Sequence, residues 1–269
     1  MTISIGQYLP GNSAIHRADP STKLMLTVIY MVMVLLTKSF LGFGFVLLYL
    51  ASALIAAKIS PKYIFKSMKP ILLIVLFTLL LNLFFYQGET VLFEWKFITI
   101  YLESLYFCAR MCLRIIFLVV GISIVTYTTT PVMLTDGIES LLSPLKVLHF
   151  PVHEVAMMMS IALRFIPTFA EETDRITKAQ TARGSDFDSK KITERIRSFV
   201  PILIPLFISA WRRAEDLANA MNARCYRGGE GRTRFRVLRF TKIDGIMILV
   251  TIFFVGGVIV LRVFGWDII

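Results

Sequence analysis

Five blocks of apolar residues, each close to the length of a bilayer crossing, constrain this chain more than any other feature. A helix needs roughly 20 apolar residues to span at full thickness, and shorter blocks must tilt, bend or pack against neighbours. The blocks cover residues 24–37, 40–57, 71–86, about 105–127, and 243–264. Only Lys38 and Ser39 separate the first two, which makes them a tight hairpin of short spans. Backbone groups in lipid must be satisfied within each segment, so the spans are helices. The expected fold is all-α: a polytopic membrane protein with about five membrane helices.

That assignment decides what the charges mean. The chain has 269 residues, is 56% hydrophobic and carries a formal charge of +11. Its mean hydropathy is +0.71. This is the composition of a membrane protein with a basic cytosolic portion, which excludes nucleic acid as the expected partner. Pro10, Gly11, Asp19 and Pro20 interrupt the first twenty residues, with no apolar run between them, so this stretch does not read as a cleaved secretory signal.

Lysine and arginine collect on cytoplasmic flanks, and their distribution here is lopsided. Arg17 and Lys23 precede the first span, and Lys58, Lys62, Lys66 and Lys69 lie between the second and third. About 18 of the 29 basic residues fall between Tyr127 and Ile243. The sequence therefore predicts a cytoplasmic N-terminus, a tail with four spans over 1–127, a cytosolic helical module over 128–242, and a returning span over 243–269. An odd number of spans leaves the C-terminus outside, with Trp266 suited to the interface.

The cytosolic module reads as three helical pieces. The first, 131–150, carries Leu134, Ile138, Leu141, Leu142 and Leu145 at helical spacing, and Pro144 bends or ends it. The second runs from about His153 to Ala179, with Pro167 as a kink and Gly184 as its stop. The third runs from about Ile192 past Pro201 and Pro205 to Arg224. Two matching triplets, Ala182-Arg183-Gly184 and Ala223-Arg224-Cys225, thus close two helices. An arginine at a helix C-terminus is favoured by the macrodipole and the unpaired carbonyls, and capping alone accounts for a single one. A pair is another matter: small neighbours leave each guanidinium unobstructed at a helix tip, suited to a carboxylate or carbonyl in a partner's groove, a contact contributing about 1.5–3 kcal/mol.

At these residues the chain resembles the transmembrane T component (EcfT) of energy-coupling factor transporters, the ATP-driven vitamin and metal uptake systems of prokaryotes. The resemblance spans essentially the whole length. It rests on Gln7 to Ser13, on His16 to Lys23, on Ala162-Leu163-Arg164-Phe165-Ile166-Pro167, on Ala179 to Gly184, and on Ala220-Met221-Asn222-Ala223-Arg224. It implies that Arg183 and Arg224 dock two homologous ABC ATPase subunits (EcfA and EcfA'), with Ala182, Gly184 and Ala223 as their small neighbours. Cys225 stands where Gly is commoner, which puts the cap geometry of the second triplet in question. The resemblance further implies a separate substrate-binding membrane S component, ATP and Mg bound by the ATPases rather than by this chain, and membrane lipid as surroundings. The chain has no Gly-Lys dipeptide, so it contains no Walker A loop. The run Met157-Met158-Met159, with Met133 and Met221, offers soft side chains for an adaptable contact with the S component, although membrane helices often carry Met for packing alone.

Other groups carry weaker signals. Arg110 and Arg114 lie one turn apart on the fourth span, where an arginine costs about 2.5–3.5 kcal/mol at mid-membrane. With no acid in a span core to pair with, they are expected to snorkel or to bind backbone carbonyls. His149, His153 and Glu154 have ligand-like spacing but no evident third ligand, so no metal site and no catalytic residue is assigned. The three cysteines are expected to be packing residues rather than disulfides. Arg232, Arg234, Arg236, Arg239 and Lys242 anchor to anionic lipid. Two rivals remain: a membrane-embedded lipid phosphotransferase using Asp186 and Asp188 beside Arg183, and a conventional ABC permease, which needs only one coupling tip per chain.

Overall fold

The computed structural model describes residues 8–85, 90–95, 98–148, 150–185, 187, 192–228 and 240–264. They form two compact units, the described residues of 8–141 with those of 240–264 in one, and the described residues of 142–228 in the other.

The first unit is a helical bundle of α1 (Ala14–Arg17), α2 (Pro20–Leu36), α3 (Phe40–Ala57), α4 (Pro61–Phe85), α5 (Leu102–Thr128), α6 (Pro131–Leu142) and α9 (Lys242–Val263). A short antiparallel hairpin of β1 (Val91–Trp95) and β2 (Ile98–Tyr101) precedes α5. Among the described residues, five helices are long and apolar enough to cross a membrane: α3, residues Pro61–Leu83 of α4, α5, α9 and, in the second unit, α7 (Val152–Ala182). The number agrees with the sequence reading but the membership differs. At 17 residues α2 falls short of the span length, while α7 reaches it because its N-terminal half is more apolar than its charged C-terminal half suggests.

Helix starts follow from local chemistry. The Asp19 carboxylate accepts from the Ser21 N–H at 2.8 Å, with Pro20 preset for the first helical position. Ser39 caps α3 in the same way through the Leu41 N–H, so the three-residue link between α2 and α3, residues 37–39, is also a cap.

The core lies where α5 packs against α2 and α3, with α9 closing the other side. Tyr30, Val34, Phe43, Val46, Phe117, Val120, Ile124 and Val258 fill it. The Tyr30 ring abuts Gly121, where a Cβ would overlap ring carbons, and its hydroxyl donates to the Phe117 carbonyl at 2.7 Å. A tyrosine is accommodated in this apolar layer because the missing side chain at 121 makes room and the carbonyl satisfies its O–H.

One end of the bundle is tied by a buried polar cluster that the sequence reading did not anticipate. Lys23 is 2% exposed, so it is not the solvated flank charge expected from its position before the first span. Its ammonium donates to the carbonyls of His16 (3.4 Å) and Thr128 (3.3 Å) and to Thr129 Oγ1 (3.3 Å). Asp244, fully buried, forms a capping box with Thr241 at the start of α9, and its Oδ1 accepts the Asp19 N–H at 2.8 Å. His16 bridges Ser13 and the Leu9 carbonyl, and the Leu9 N–H donates to the Tyr127 carbonyl. The N-terminal segment, the end of α5 and the start of α9 are thereby joined through groups that satisfy one another away from water.

The membrane arginines behave as the acid-free spans require. Arg114 Nη2 donates to the Thr37 carbonyl at 2.9 Å and Arg110 Nη1 reaches the Lys38 carbonyl at 3.5 Å. Arg114 thus serves the C-cap carbonyl of α2 and Arg110 the carbonyl of the next residue in the link to α3.

Candidate functional site

The second unit holds a six-residue 3-10 turn, Ser143–Leu148, then α7 and α8 (Ile192–Ala223). Pro144 sits in the 3-10 turn, which is why α6 ends at Leu142 instead of running on toward Phe150.

Contacts along α7 and α8 fix their direction. Gln180 Nε2 donates to the Pro201 carbonyl at 3.5 Å, Arg213 pairs with Glu172 at 3.1 Å and lies 5.9 Å from the Phe169 ring centre, and Met157 and Ile161 share a cavity with Met221. As numbers fall along α7 they rise along α8, so the pair is antiparallel. Its two C-termini therefore point to opposite ends. Arg224 is level with residues 157–164 of α7, some twenty residues before Arg183, which separates the two arginines by roughly 30 Å at 1.5 Å rise per residue.

The two ends are built alike. After α7, the Ser185 N–H donates to the Gln180 carbonyl (3.0 Å) and the Gly184 N–H to the Thr181 carbonyl (2.9 Å). After α8, the Tyr226 N–H donates to the Met221 carbonyl (3.1 Å) and the Cys225 N–H to the Asn222 carbonyl (2.9 Å). This is the Schellman pattern twice, with Arg183 and Arg224 as the last half-helical residues. Gly184 has φ +91° and Cys225 φ +55°, both left-handed. Cys225 therefore keeps the cap geometry that its identity had put in question. It is also exposed, which corrects the expectation that all three cysteines are packing residues; only Cys108 is buried. A cap residue must point out of the helix end, so its side chain has no core to enter.

Ala182, Arg183, Gly184, Ala223 and Arg224 are all exposed. Neither arginine makes an ion pair among the described residues. Each guanidinium thus stands at a helix tip with its hydrogen-bonding capacity unspent and the carbonyl dipoles behind it already capped.

The three methionines diverge, as consecutive residues 100° apart on a helix must. Met157 lines the cavity, whereas Met158 and Met159 are exposed. A larger apolar surface lies on α8. Phe199, Leu203, Phe207 and Trp211 repeat at four-residue intervals beside Val200, Ile204 and Ile208, and all seven are exposed, Phe207 by 68%. The sequence signal was this repeat; what it lacked was any means of telling a core face from an open one.

Among the described residues no group of three or more His, Cys, Asp or Glu could hold a metal ion. His149, Asp186, Asp188, Trp266 and the arginines of 232–239 lie outside the described residues, while Lys242 is exposed at the start of α9.

Comparison with known proteins matches residues 11–235 to the family CbiQ, described as cobalt transport protein. The energy-coupling factor transporter transmembrane protein EcfT of Ruminiclostridium cellulolyticum is 51% identical over 260 residues, 97% of each chain. The proteins of that name from Clostridium kluyveri (49% over 245 residues, 91% of each chain) and Bacillus subtilis (44% over 245 residues, 91% of this chain and 92% of the relative) are similar over the same length. With five helices apolar enough to span and this likeness along nearly its whole length, the chain is a multi-pass membrane protein that belongs to the EcfT family, the transmembrane components of energy-coupling factor transporters.

Proposed function

We propose that this chain is a non-catalytic coupling subunit of an ATP-driven importer, which transmits the conformational change of two ABC ATPases to a separate membrane subunit that holds the substrate. The observation that carries this reading is the repeated cap: two exposed arginines in the same Schellman geometry, at opposite ends of one antiparallel helix pair. Two like tips about 30 Å apart suit two like partners, one to each tip. ATP and Mg belong to those partners.

Closure of the ATPases on nucleotide changes the spacing or tilt demanded of the tips. The α7–α8 pair, tied by Arg213 to Glu172 and Phe169, responds as a lever. The substrate-binding subunit rests on the apolar stripe of α8, with Met158 and Met159 as the adaptable part of the contact. In this reading α2 crosses as a short span in place of α7, the helix pair α7–α8 lies on the cytoplasmic side with the N-terminus, and the C-terminus is outside, following the basic residues. The cargo is a vitamin, a metal such as the cobalt in the family description, or another micronutrient read by the partner.

Charge reversal tests the mechanism. Arg183→Glu and Arg224→Glu, made separately, should each lower ATPase co-purification and substrate uptake in cells while membrane insertion stays intact. Full uptake in both variants removes the mechanism.

A further inference from the structure

Beside the Arg224 tip lies a cavity of about 670 Å³ between the N-terminal half of α7 and the end of α8. Its lining is divided by chemistry. Met157, Ile161 and Met221 supply an apolar floor, and Arg164, Arg224 and Arg227 supply three guanidinium groups. None of these three makes a hydrogen bond or ion pair among the described residues. Glu154 approaches one edge at Gly228, leaving the cavity with a surplus of positive charge.

We propose that this cavity binds the headgroup of an anionic phospholipid. Guanidinium forks match phosphate oxygens in paired hydrogen bonds, and three arginines lining one cavity exceed what one carboxylate needs. The volume is large for a single acidic side chain, and the thioether and isoleucine floor suits the glycerol and first methylenes of a lipid rather than a free ion. The helix that supplies Met157, Ser160, Ile161 and Arg164 to the lining is itself apolar enough for a membrane, with Met158, Met159 and Ile166 exposed along it. A bound headgroup would neutralise Arg224 and so compete with docking at that tip. Lipid binding itself is read on the isolated chain and does not depend on the docking reading.

The full-length protein, purified in neutral detergent without ATPases, is titrated with phosphatidylglycerol and with phosphatidylcholine, and bound lipid is counted by native mass spectrometry. One phosphatidylglycerol per chain should be retained with at least tenfold preference. Arg164→Gln with Arg227→Gln should reduce it to the phosphatidylcholine level with the thermal unfolding midpoint unchanged. Arg164→Lys with Arg227→Lys, which keeps charge but loses the forks, should fall between. Equal retention of the two lipids, or undiminished phosphatidylglycerol in the Gln pair, overturns the proposal. Displacement of the lipid by millimolar inorganic phosphate would assign the cavity to a free anion. Cross-linking of position 164 to an ATPase in membranes, with no lipid retained by the chain, would assign it to an acidic protein segment. Either outcome overturns the lipid assignment.

Discussion

Cys225 shows how much one residue's backbone can matter at a helix end. A side chain in the left-handed region carries about 1–2 kcal/mol of steric cost, which glycine avoids. Cys225→Gly should therefore raise stability by about 1 kcal/mol, with docking retained because Arg224 and the hydrogen bonds behind it are unchanged; a denaturant titration beside an uptake assay checks both. Gly184→Ala should cost about 1–2 kcal/mol, although open space surrounds the new Cβ, because φ is +91° there and the penalty is backbone strain. Gly121 is the opposite case: its helical backbone tolerates any residue, but the Tyr30 ring occupies the space. Gly121→Ala should destabilise the bundle by about 1–3 kcal/mol through overpacking, and Gly121→Ala with Tyr30→Leu should recover part of that loss.

At the scale of elements, the helices are held at their ends as much as along their faces. The Lys23 and Asp244 cluster joins the N-terminal segment, α5 and α9, and the Asp244 and Asp19 carboxylates favour the charged form of the buried Lys23 ammonium. Removing one member leaves the other buried without compensation. Lys23→Met should cost about 3–5 kcal/mol in detergent unfolding, whereas the exposed Lys62, Lys66 and Lys69 in the first turns of α4 should tolerate the same change with little loss. Arg114→Ala should also destabilise, by about 1.5–3 kcal/mol, since the Thr37 carbonyl loses a charged donor. With no acid in reach, the sequence left Arg110 and Arg114 either to snorkel or to bind carbonyls; it does not tell the two apart or name the carbonyls, since Thr37 and Lys38 are some seventy residues away in the chain.

At the scale of the whole molecule, α8 presents an unusual surface for a helix of its length. Its exposed stripe alternates with the face that meets α7 through Pro201 and Arg213, so the helix is apolar on more than the side it buries. If a membrane partner covers the stripe, Leu203→Asn with Phe207→Asn should weaken that partner's retention tenfold or more while both ATPases still co-purify, since each large side chain contributes about 1.5–3 kcal/mol when buried. Pull-down through an affinity tag on this chain would separate the two effects.

Helical content, the number of apolar helices, the breaks at Pro144 and Gly184 and the two arginine triplets all follow from short-range rules: apolar run length, proline's missing donor, glycine's access to positive φ. They are legible because each depends on neighbours within a turn or two. The family is legible for a related reason, since its motifs are local strings. Tertiary structure alone decided the rest. It buried Lys23 and Asp244, left Met158 and the α8 stripe open while folding Met157 inward, gave Cys225 the glycine conformation, and set the two arginines at opposite ends of one helix pair. Those outcomes depend on which distant segment arrives beside each residue, and an isolated string of side chains does not contain that distance.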